Sequence, residues 1–336
     1  MTPTQIPFQQ LLEALLDTDR PFPPRNLYRL SDLEQSEVDA LATVWSQVPV
    51  WRRQALMEDV NELSESDTLL SFEALGRFAV QDEDAGVRLS AVRTLWDYED
   101  RTLVPLFLEV LGNDNDAEVR AAAAGALGQF VYAGEVDEIP AKTLHAIEEA
   151  LLSKVNSSDA PQVRRSCLES LGYSSREEVT PLIDAAYASK DKEWVASALF
   201  AMGRSANKSW KPQILAMLES NLPIFRSEAA RAAGELEIKA ALPLLMELLG
   251  DTDDATRLAS IWALSQIGGE GVQEALEQMY EETEDEQEIE TLDLALENLS
   301  FTQGTPLMPF FDFPEDEGED FDDEPFDLLE DEELPD

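Results

Sequence analysis

A short sequence pattern recurs along most of the chain, and this repetition restricts the possible folds more than any single motif does. In residues 116–128 it reads DAEVRAAAAGALG: an acidic start, Val-Arg, an alanine-rich run and Leu-Gly. The aligned copies place these residues at one position: Arg88, Arg120, Arg164, Val195, Arg226, Arg257 and Ile289. The successive steps are 32, 44, 31, 31, 31 and 32 residues. Such regularity is the signature of a repeat array.

Each repeat contains two helical patterns. The first begins with a capping Asp or similar residue and has apolar residues at spacings of three and four. The second carries a proline seventeen residues after the aligned position, at Pro105, Pro181, Pro212 and Pro243. Proline is well tolerated in the first turn of a helix, where its missing N–H has no acceptor. The sequence therefore predicts an all-α fold, a right-handed α-solenoid of about seven antiparallel helix pairs.

Three regions follow from these patterns. Residues 1–48 form a proline-rich segment and a helical cap, with a short helix near Phe8–Leu16 and a capping box made by Ser31 and Glu34. Residues 49–300 form the solenoid. Residues 301–336 form an acidic C-terminal tail that we expect to be disordered, because it has high charge and no buried face.

The step after Arg120 is longer than the others, and the extra residues fall around Gln129–Ile139. We interpret them as a lengthened helix or loop. A tolerated insertion between helices is the favoured explanation, and a loop that contacts a partner is the alternative.

The repeated Asp-x-x-Val-Arg, the alanine run and the "VP" or "LP" that opens the next helix resemble HEAT repeats of the short, phycobilisome-lyase-like kind. This resemblance covers roughly residues 48–300. The stretches LGYSSREEV and ALFAMGRSANKSW also resemble a bacterial group of HEAT-repeat proteins without a well-defined activity. The resemblance implies the fold, but it does not fix a function, since one fold hosts many functions.

The amino-acid composition restricts the chemical class of partner that the chain is expected to bind. Asp and Glu number 70 against 24 Lys and Arg, a formal charge of −46, which disfavours nucleic acid and anionic membranes and favours basic proteins. A high-salt habitat is an alternative explanation for this acidity. The chain begins without the pattern of a signal peptide and has no apolar run of about 20 residues, so we expect no membrane insertion and a cytoplasmic location.

Catalytic patterns are missing from the sequence. The sequence has one histidine, His145, and one cysteine, Cys167, so these residue types cannot supply three ligands to a zinc ion. No cofactor is expected. Deoxyhypusine hydroxylase-like proteins share this repeat and bind iron through His-Glu pairs, but Ala146 follows His145, which argues against that activity. A bilin lyase-like or chaperone-lyase protein acting on a cofactor-bearing partner remains the alternative to a non-enzymatic scaffold. Cys167 is expected to be buried and inert.

The aligned arginines Arg88, Arg120, Arg164, Arg226 and Arg257 are interpreted as a structural ladder, paired with carboxylates or helix-end carbonyls, in preference to a ligand site. Three tryptophans lie at core-like spacing and are expected to pack: Trp96, Trp194 and Trp262. Trp210 precedes a second helix and is predicted to be exposed and available to a partner.

The function predicted from these features is a non-enzymatic protein-interaction scaffold or adaptor. Its second helices are expected to line a concave surface with carboxylates and methionines, which suit a partner segment with basic and apolar residues. The candidate residues are Glu109, Asp184, Met217, Met246, Glu247, Gln278 and Met279. The sequence leaves the oligomeric state open.

The acidic tail contains apolar side chains spread among its carboxylates, which favours a short binding motif over a plain solubility tail. These apolar residues are Phe310, Phe311, Phe313, Phe321, Phe326, Leu328 and Leu329. An autoinhibitory role for the tail is disfavoured, since an acidic solenoid would repel it.

Overall fold

The computed structural model describes residues 6–302, and within that range the regular structure is helical, without strands. Its α-helices are α1 (Phe8–Leu16), α2 (Gln35–Trp45), α3 (Val50–Ser66), α4 (Glu73–Ala79), α5 (Ala85–Thr94), α6 (Val104–Asn113), α7 (Ala117–Glu135), α8 (Ala141–Val155), α9 (Pro161–Leu171), α10 (Val179–Tyr187), α11 (Lys192–Arg204), α12 (Lys211–Leu218), α13 (Pro223–Glu235), α14 (Leu242–Leu248), α15 (Asp254–Ile267), α16 (Val272–Glu282) and α17 (Glu286–Thr302). Short 3₁₀ helices cover Pro24–Leu30, Arg101–Leu103, Lys208–Trp210 and Lys239–Ala241.

From α4 to α17 the helices form seven pairs, in which each even-numbered helix packs mainly on the odd-numbered helix that follows it. The odd-numbered helices from α3 onward form one row, which we call the odd row, and the even-numbered helices form the even row. Aspartate side chains cap several odd-row helices, among them Asp84, Asp116 and Asp253. A single apolar core runs between the rows. The predicted α-solenoid is confirmed.

Small residues bring the odd-row helices very close together. A Cβ placed on Gly203 would lie 2.9 Å from the Cα of Ala232, and one on Gly234 would lie 2.8 Å from the Cα of Ala263. Only glycine therefore permits these two backbone crossings. The Met-Gly and Ala-Gly endings of the sequence pattern at these two positions are places where successive repeats touch.

The two rows are unequally packed. Odd-row neighbours pack along their lengths, whereas even-row neighbours touch each other far less. The predicted lining residues all belong to the even row, and their assignment to a concave surface stays a prediction.

The additional residues of the long repeat step lie mainly in helices. Helix α7 has 19 residues and α8 has 15, so that both extend beyond the usual length. Phe130 and Val131 are buried in the extended part of α7, and Ile139 is buried just after it. The segment Gln129–Ile139 is thus mostly a lengthened helix, followed by a short turn with Asp137 at φ 63°.

The N-terminal cap differs from the prediction in its capping residues. Helix α2 begins at Gln35, and its capping box is made by Glu34 and Glu37. Ser31 is too far from this helix to cap it, because Asp32 intervenes at φ 53° and turns the chain. The Ser31 hydroxyl instead accepts the Ser71 N–H at 2.9 Å and so ties the cap to the start of α4.

Candidate partner-binding surface

A groove of about 560 Å³ runs between α3 and α5 on the odd row. We call it the α3–α5 groove. Its principal lining residues are Glu58, Glu62, Glu65, Arg93, Trp96 and Asp97. The glutamates lie on α3 at spacings of three and four, which place them on one helix face. Arg93 lies in the last turn of α5, and Trp96 and Asp97 follow this helix.

Hydrogen bonds between α3 and α5 fix the floor of the groove. The Asn61 side chain donates to the Ser90 carbonyl at 3.4 Å and accepts from the Thr94 hydroxyl. At the N-terminal end of α5, Gln54 donates to the Asp84 carboxylate at 2.9 Å. These contacts hold the two helices in a fixed register, so the groove is preformed.

The groove has an excess of negative charge. Among residues 6–302, neither the three groove glutamates nor Asp97 makes an ion pair with Lys or Arg. Burial raises the pKa of nearby Asp59, and repulsion by Glu62 and Glu58 raises it further. The α3 face thus carries like charges that form no ion pair, and Arg93 is the one cation among the residues that line the groove.

Trp96 provides a large aromatic surface at the edge of the groove. Its side chain is 39% exposed, and it follows the end of α5 instead of lying inside the helix as predicted. The ring covers Gly125 of α7, where a Cβ would come within 2.5 Å of the indole Cη2. Gln129 donates to the Trp96 carbonyl at 2.5 Å and fixes the backbone. The expectation of simple core packing is therefore wrong for Trp96.

The aligned arginines join consecutive repeats at one end of the stack. Arg88 donates to both carboxylate oxygens of Asp114, at 2.7 and 2.8 Å, and to the Asp82 carbonyl at 3.0 Å. Arg120 makes the same pattern with the Asp159 carboxylate, at 2.5 and 3.2 Å, and with the Asp114 carbonyl, at 2.7 Å.

The other ladder arginines also pair with a carboxylate of the next repeat, with one exception; we call each such arginine–carboxylate pair a rung. Arg226 pairs with Asp251, and Arg257 pairs with Glu288. Arg53 of α3 pairs with Asp82 at 2.6 Å and is an additional rung that the alignment missed, because α3 lacks the alanine-rich run. Arg164 is the exception, since its Nε donates only to the Val155 carbonyl, at 2.8 Å.

Comparison with known proteins identifies the repeat. The sequence profile of HEAT repeats matches residues 72–142 and 211–296. The chain contains HEAT repeats. The predicted family is thereby confirmed, and the phycobilisome-lyase-like subtype stays a prediction. No curated protein matches the sequence significantly.

Solved structures similar to this HEAT-repeat protein have low identity to it. Human deoxyhypusine hydroxylase is 16% identical, with 89% of this chain and 97% of that chain covered and a TM-score of 0.36. YibA of E. coli is 17% identical, with 71% and 96% covered and a TM-score of 0.39. Kap95p, in a structure with RanGDP, is 13% identical, with 89% and 46% covered and a TM-score of 0.42.

The HEAT repeats place Trp210 differently from the prediction. Its side chain is only 4% exposed. The 3₁₀ turn Lys208–Trp210 ends at this residue and directs its ring into the core ahead of α12. The predicted exposure of Trp210 is wrong because the polar residues around it obscured an anchoring position. Trp194 and Trp262 are half-buried.

The residues predicted on the second helices lie on the even row of the HEAT repeats. Their polar members Glu109, Asp184, Glu247 and Gln278 are exposed. The methionines Met217, Met246 and Met279 are half-buried against the core. The predicted tail residues Phe310, Phe311, Phe313, Phe321, Phe326, Leu328 and Leu329 lie outside the described residues.

The isolated His and Cys residues occupy different environments in the HEAT-repeat protein. His145 is exposed on α8, and Cys167 is buried in α9, where burial raises the thiol pKa to about 12. Within residues 6–302, no group of three or more His, Cys, Asp and Glu residues is arranged to hold a metal ion. No helix in the same range is long and apolar enough to cross a membrane.

Proposed function

We propose that this HEAT-repeat protein is a non-enzymatic, cytoplasmic scaffold that binds a partner protein through the α3–α5 groove. The partner segment would combine Lys or Arg residues with an apolar side chain. The observation that carries this proposal is the set of carboxylates without ion-pair partners, Glu58, Glu62 and Glu65, beside the exposed ring of Trp96.

Two physical effects support such a partner. A cationic side chain in the groove would offset the mutual repulsion of the like-charged Glu58, Glu62 and Glu65. The Trp96 ring offers apolar area and a cation-binding face, and tryptophan is enriched among the residues that dominate binding energy at interfaces. Opposite charges across the interface also accelerate association at low salt.

The acidic tail and the exposed polar residues of the even row are further proposed contacts, secondary to the groove. The lyase-like alternative draws no support from the geometry of residues 6–302. It would be favoured only by a partner that carries a chromophore or another cofactor.

The test compares the full chain with two charge-matched triple variants. One carries Glu58→Gln, Glu62→Gln and Glu65→Gln in the groove. The control carries Glu109→Gln, Asp184→Asn and Glu247→Gln, which remove the same charge from the even row. Partners recovered from soluble extract by affinity capture would be purified, and their affinities for each variant measured by calorimetry.

The groove variant should lose at least about tenfold in affinity, or about 1.4 kcal/mol, and the control, which removes charge at the secondary contacts of the even row, should lose markedly less. Trp96→Ala should cost about 2 kcal/mol if the ring is a central anchor. Equal losses in both triple variants would indicate a nonspecific effect of net charge and overturn the groove assignment. A recovered partner with visible absorbance would shift the choice to the lyase-like alternative.

A further inference from the structure

The arginine ladder has a gap at Arg164. Every other ladder arginine pairs with a carboxylate of the next repeat. No Asp or Glu of the described range lies within ion-pair distance of Arg164, and its two Nη atoms donate to no oxygen in that range. Its guanidinium lies over the Trp194 ring, 5.2 Å from the ring centroid.

The gap arises because a serine occupies the carboxylate position. In a normal rung, Asp114 also accepts the N–H of the helix-capping Asp116, at 2.8 Å. In the repeat that follows Arg164, the N–H of the helix-capping Asp191 donates instead to the hydroxyl oxygen of Ser189, at 3.1 Å. Ser189 therefore stands where an aspartate would pair with Arg164.

The following repeat differs from this gap, because it lacks both the arginine and the carboxylate. There the arginine position is occupied by Val195, and the carboxylate position by Ser220, whose hydroxyl accepts the Leu222 N–H at 3.2 Å. Both members of that rung are absent together. At Arg164 the cation is retained while its internal partner is missing.

A pocket of about 250 Å³ opens at this position. Arg164, Ser189 and Asn156 supply its polar groups, and Leu168, Leu182 and Trp194 supply apolar walls. The pocket thus offers a cation and hydrogen-bonding groups to a carboxylate, and apolar surface to a neighbouring side chain.

The charge around the pocket differs from that of the whole molecule. Residues 141–211 contain ten Lys and Arg against nine Asp and Glu, in a chain with a net charge of −46. Lys190 and Lys192 follow Ser189 closely in sequence, and both are exposed. This is the part of the solenoid that repels an acidic segment least.

We propose that the C-terminal segment 303–336 of this same chain docks at the ladder gap, where one of its carboxylates pairs with Arg164 and a neighbouring apolar side chain contacts Trp194. The segment contains fifteen Asp and Glu, no Lys or Arg, and five Phe. The sequence-based objection to an inward contact of the tail assumed a uniformly acidic solenoid, and residues 141–211 do not fit that assumption.

The tether makes the segment a better occupant than a separate acidic partner. Helix α17 ends at Thr302, three odd-row steps from α11, which at about 10 Å per helix–helix step is about 30 Å across the row. Thr302 also lies 13 residues beyond Ile289, the aligned position, or about 20 Å along the helix, so the separation is about 36 Å. A chain spans up to about 3.5 Å per residue, so fewer than half of the 34 remaining residues would cover it. Covalent attachment through a linker of this length raises the effective local concentration to the order of millimolar, whereas a separate acidic protein would have to overcome repulsion by the net charge of the whole chain.

The test uses fluorine NMR of the full chain labelled with 5-fluorotryptophan. The variant Trp194→Phe assigns the Trp194 resonance. Replacing all Asp and Glu of residues 303–336 by Asn and Gln, at unchanged length, should shift this resonance. The Trp262 resonance, from a repeat with a complete rung, should stay in place.

Two matched variants make the test specific. Ser189→Asp restores an internal carboxylate opposite Arg164 and should abolish the response of Trp194 to tail neutralisation. Ser220→Asp adds the same charge at the same position one repeat later, opposite Val195, and should leave that response intact.

Three results would overturn the proposal. The Trp194 resonance could be insensitive to tail neutralisation, or it could respond equally in the Ser189→Asp background. A response that grows with protein concentration would show instead that the tail of a second copy occupies the gap.

Discussion

Arg226 and Asp251 form a two-point ion pair between consecutive repeats, with Nε–Oδ2 at 2.6 Å and Nη2–Oδ1 at 2.7 Å. Both side chains are largely shielded, at 14% and 7% exposure. The carbonyl of Asp251 accepts a further hydrogen bond from Arg257, at 2.9 Å. One turn residue therefore joins the arginines of two successive repeats.

The substitution Asp251→Asn should destabilise the protein by about 3 kcal/mol, because it leaves the Arg226 cation shielded without an anion. The asparagine side chain still has an oxygen that can accept the Asp253 N–H. The loss of stability therefore measures mainly the removal of the negative charge. Urea unfolding monitored by circular dichroism measures the change. The control Asp254→Asn removes an Arg257 partner that is 81% exposed and should cost less than about 0.5 kcal/mol. Equal costs would contradict a special role for the shielded rung.

The ladder carboxylates should also create a pH dependence of stability. Hydrogen bonds from Arg226 and Arg120 are the largest causes that lower the pKa values of Asp251 and Asp159. A carboxylate with a lowered folded-state pKa stabilises the fold above its unfolded pKa of about 3.9, and this contribution is lost as pH falls toward the folded value.

The stability difference between the parent chain and Asp251→Asn should therefore be constant at neutral pH and shrink below about pH 4. Urea titrations at a series of pH values test this expectation. A difference that instead grows on acidification would mean that the pair does not hold Asp251 ionised.

The repeat pattern allowed the helix pairs and the arginine positions to be predicted, because both depend on residues at fixed offsets along the chain. Trp96 and Trp210 were assigned the wrong environments because their burial depends on contacts with other repeats. Gly125, which lies under Trp96, is one small residue in an alanine-rich run and gives no sign of this contact. The groove was missed for the same reason, since α3 and α5 become neighbours only in the stack.

The burial of Trp210 can be tested directly. Trp210→Ala removes a 4% exposed ring and should cost about 3–5 kcal/mol through lost burial and a new cavity. Trp51→Ala removes a ring that is 56% exposed and should cost about 1 kcal/mol or less. Thermal and urea unfolding of both variants provide the comparison. A small cost at Trp210 would restore the original prediction that its ring faces solvent.

The single thiol should be unreactive in the folded protein. Burial raises the pKa of Cys167 to about 12, so that almost no thiolate is present at neutral pH, and the side chain is inaccessible to reagents. Labelling with a chromogenic disulfide reagent should proceed only as denaturant unfolds the chain, in parallel with the loss of helical signal. Rapid stoichiometric labelling under native conditions would contradict the burial of α9.

The close approach of α11 and α13 predicts opposite effects for two glycine-to-alanine substitutions. At Gly203 the new Cβ would lie 2.9 Å from the Cα of Ala232, and a helix backbone moves less readily than a side chain. Gly203→Ala should therefore cost about 1–3 kcal/mol through overpacking. Gly112 lies near the end of α6 with nothing within 4 Å of its Cβ position, so Gly112→Ala should be neutral or stabilising by up to about 1 kcal/mol, the helix propensity difference. Urea midpoints of the two variants measure both effects, and equal stabilisation at the two sites would show that the odd row is not tightly packed.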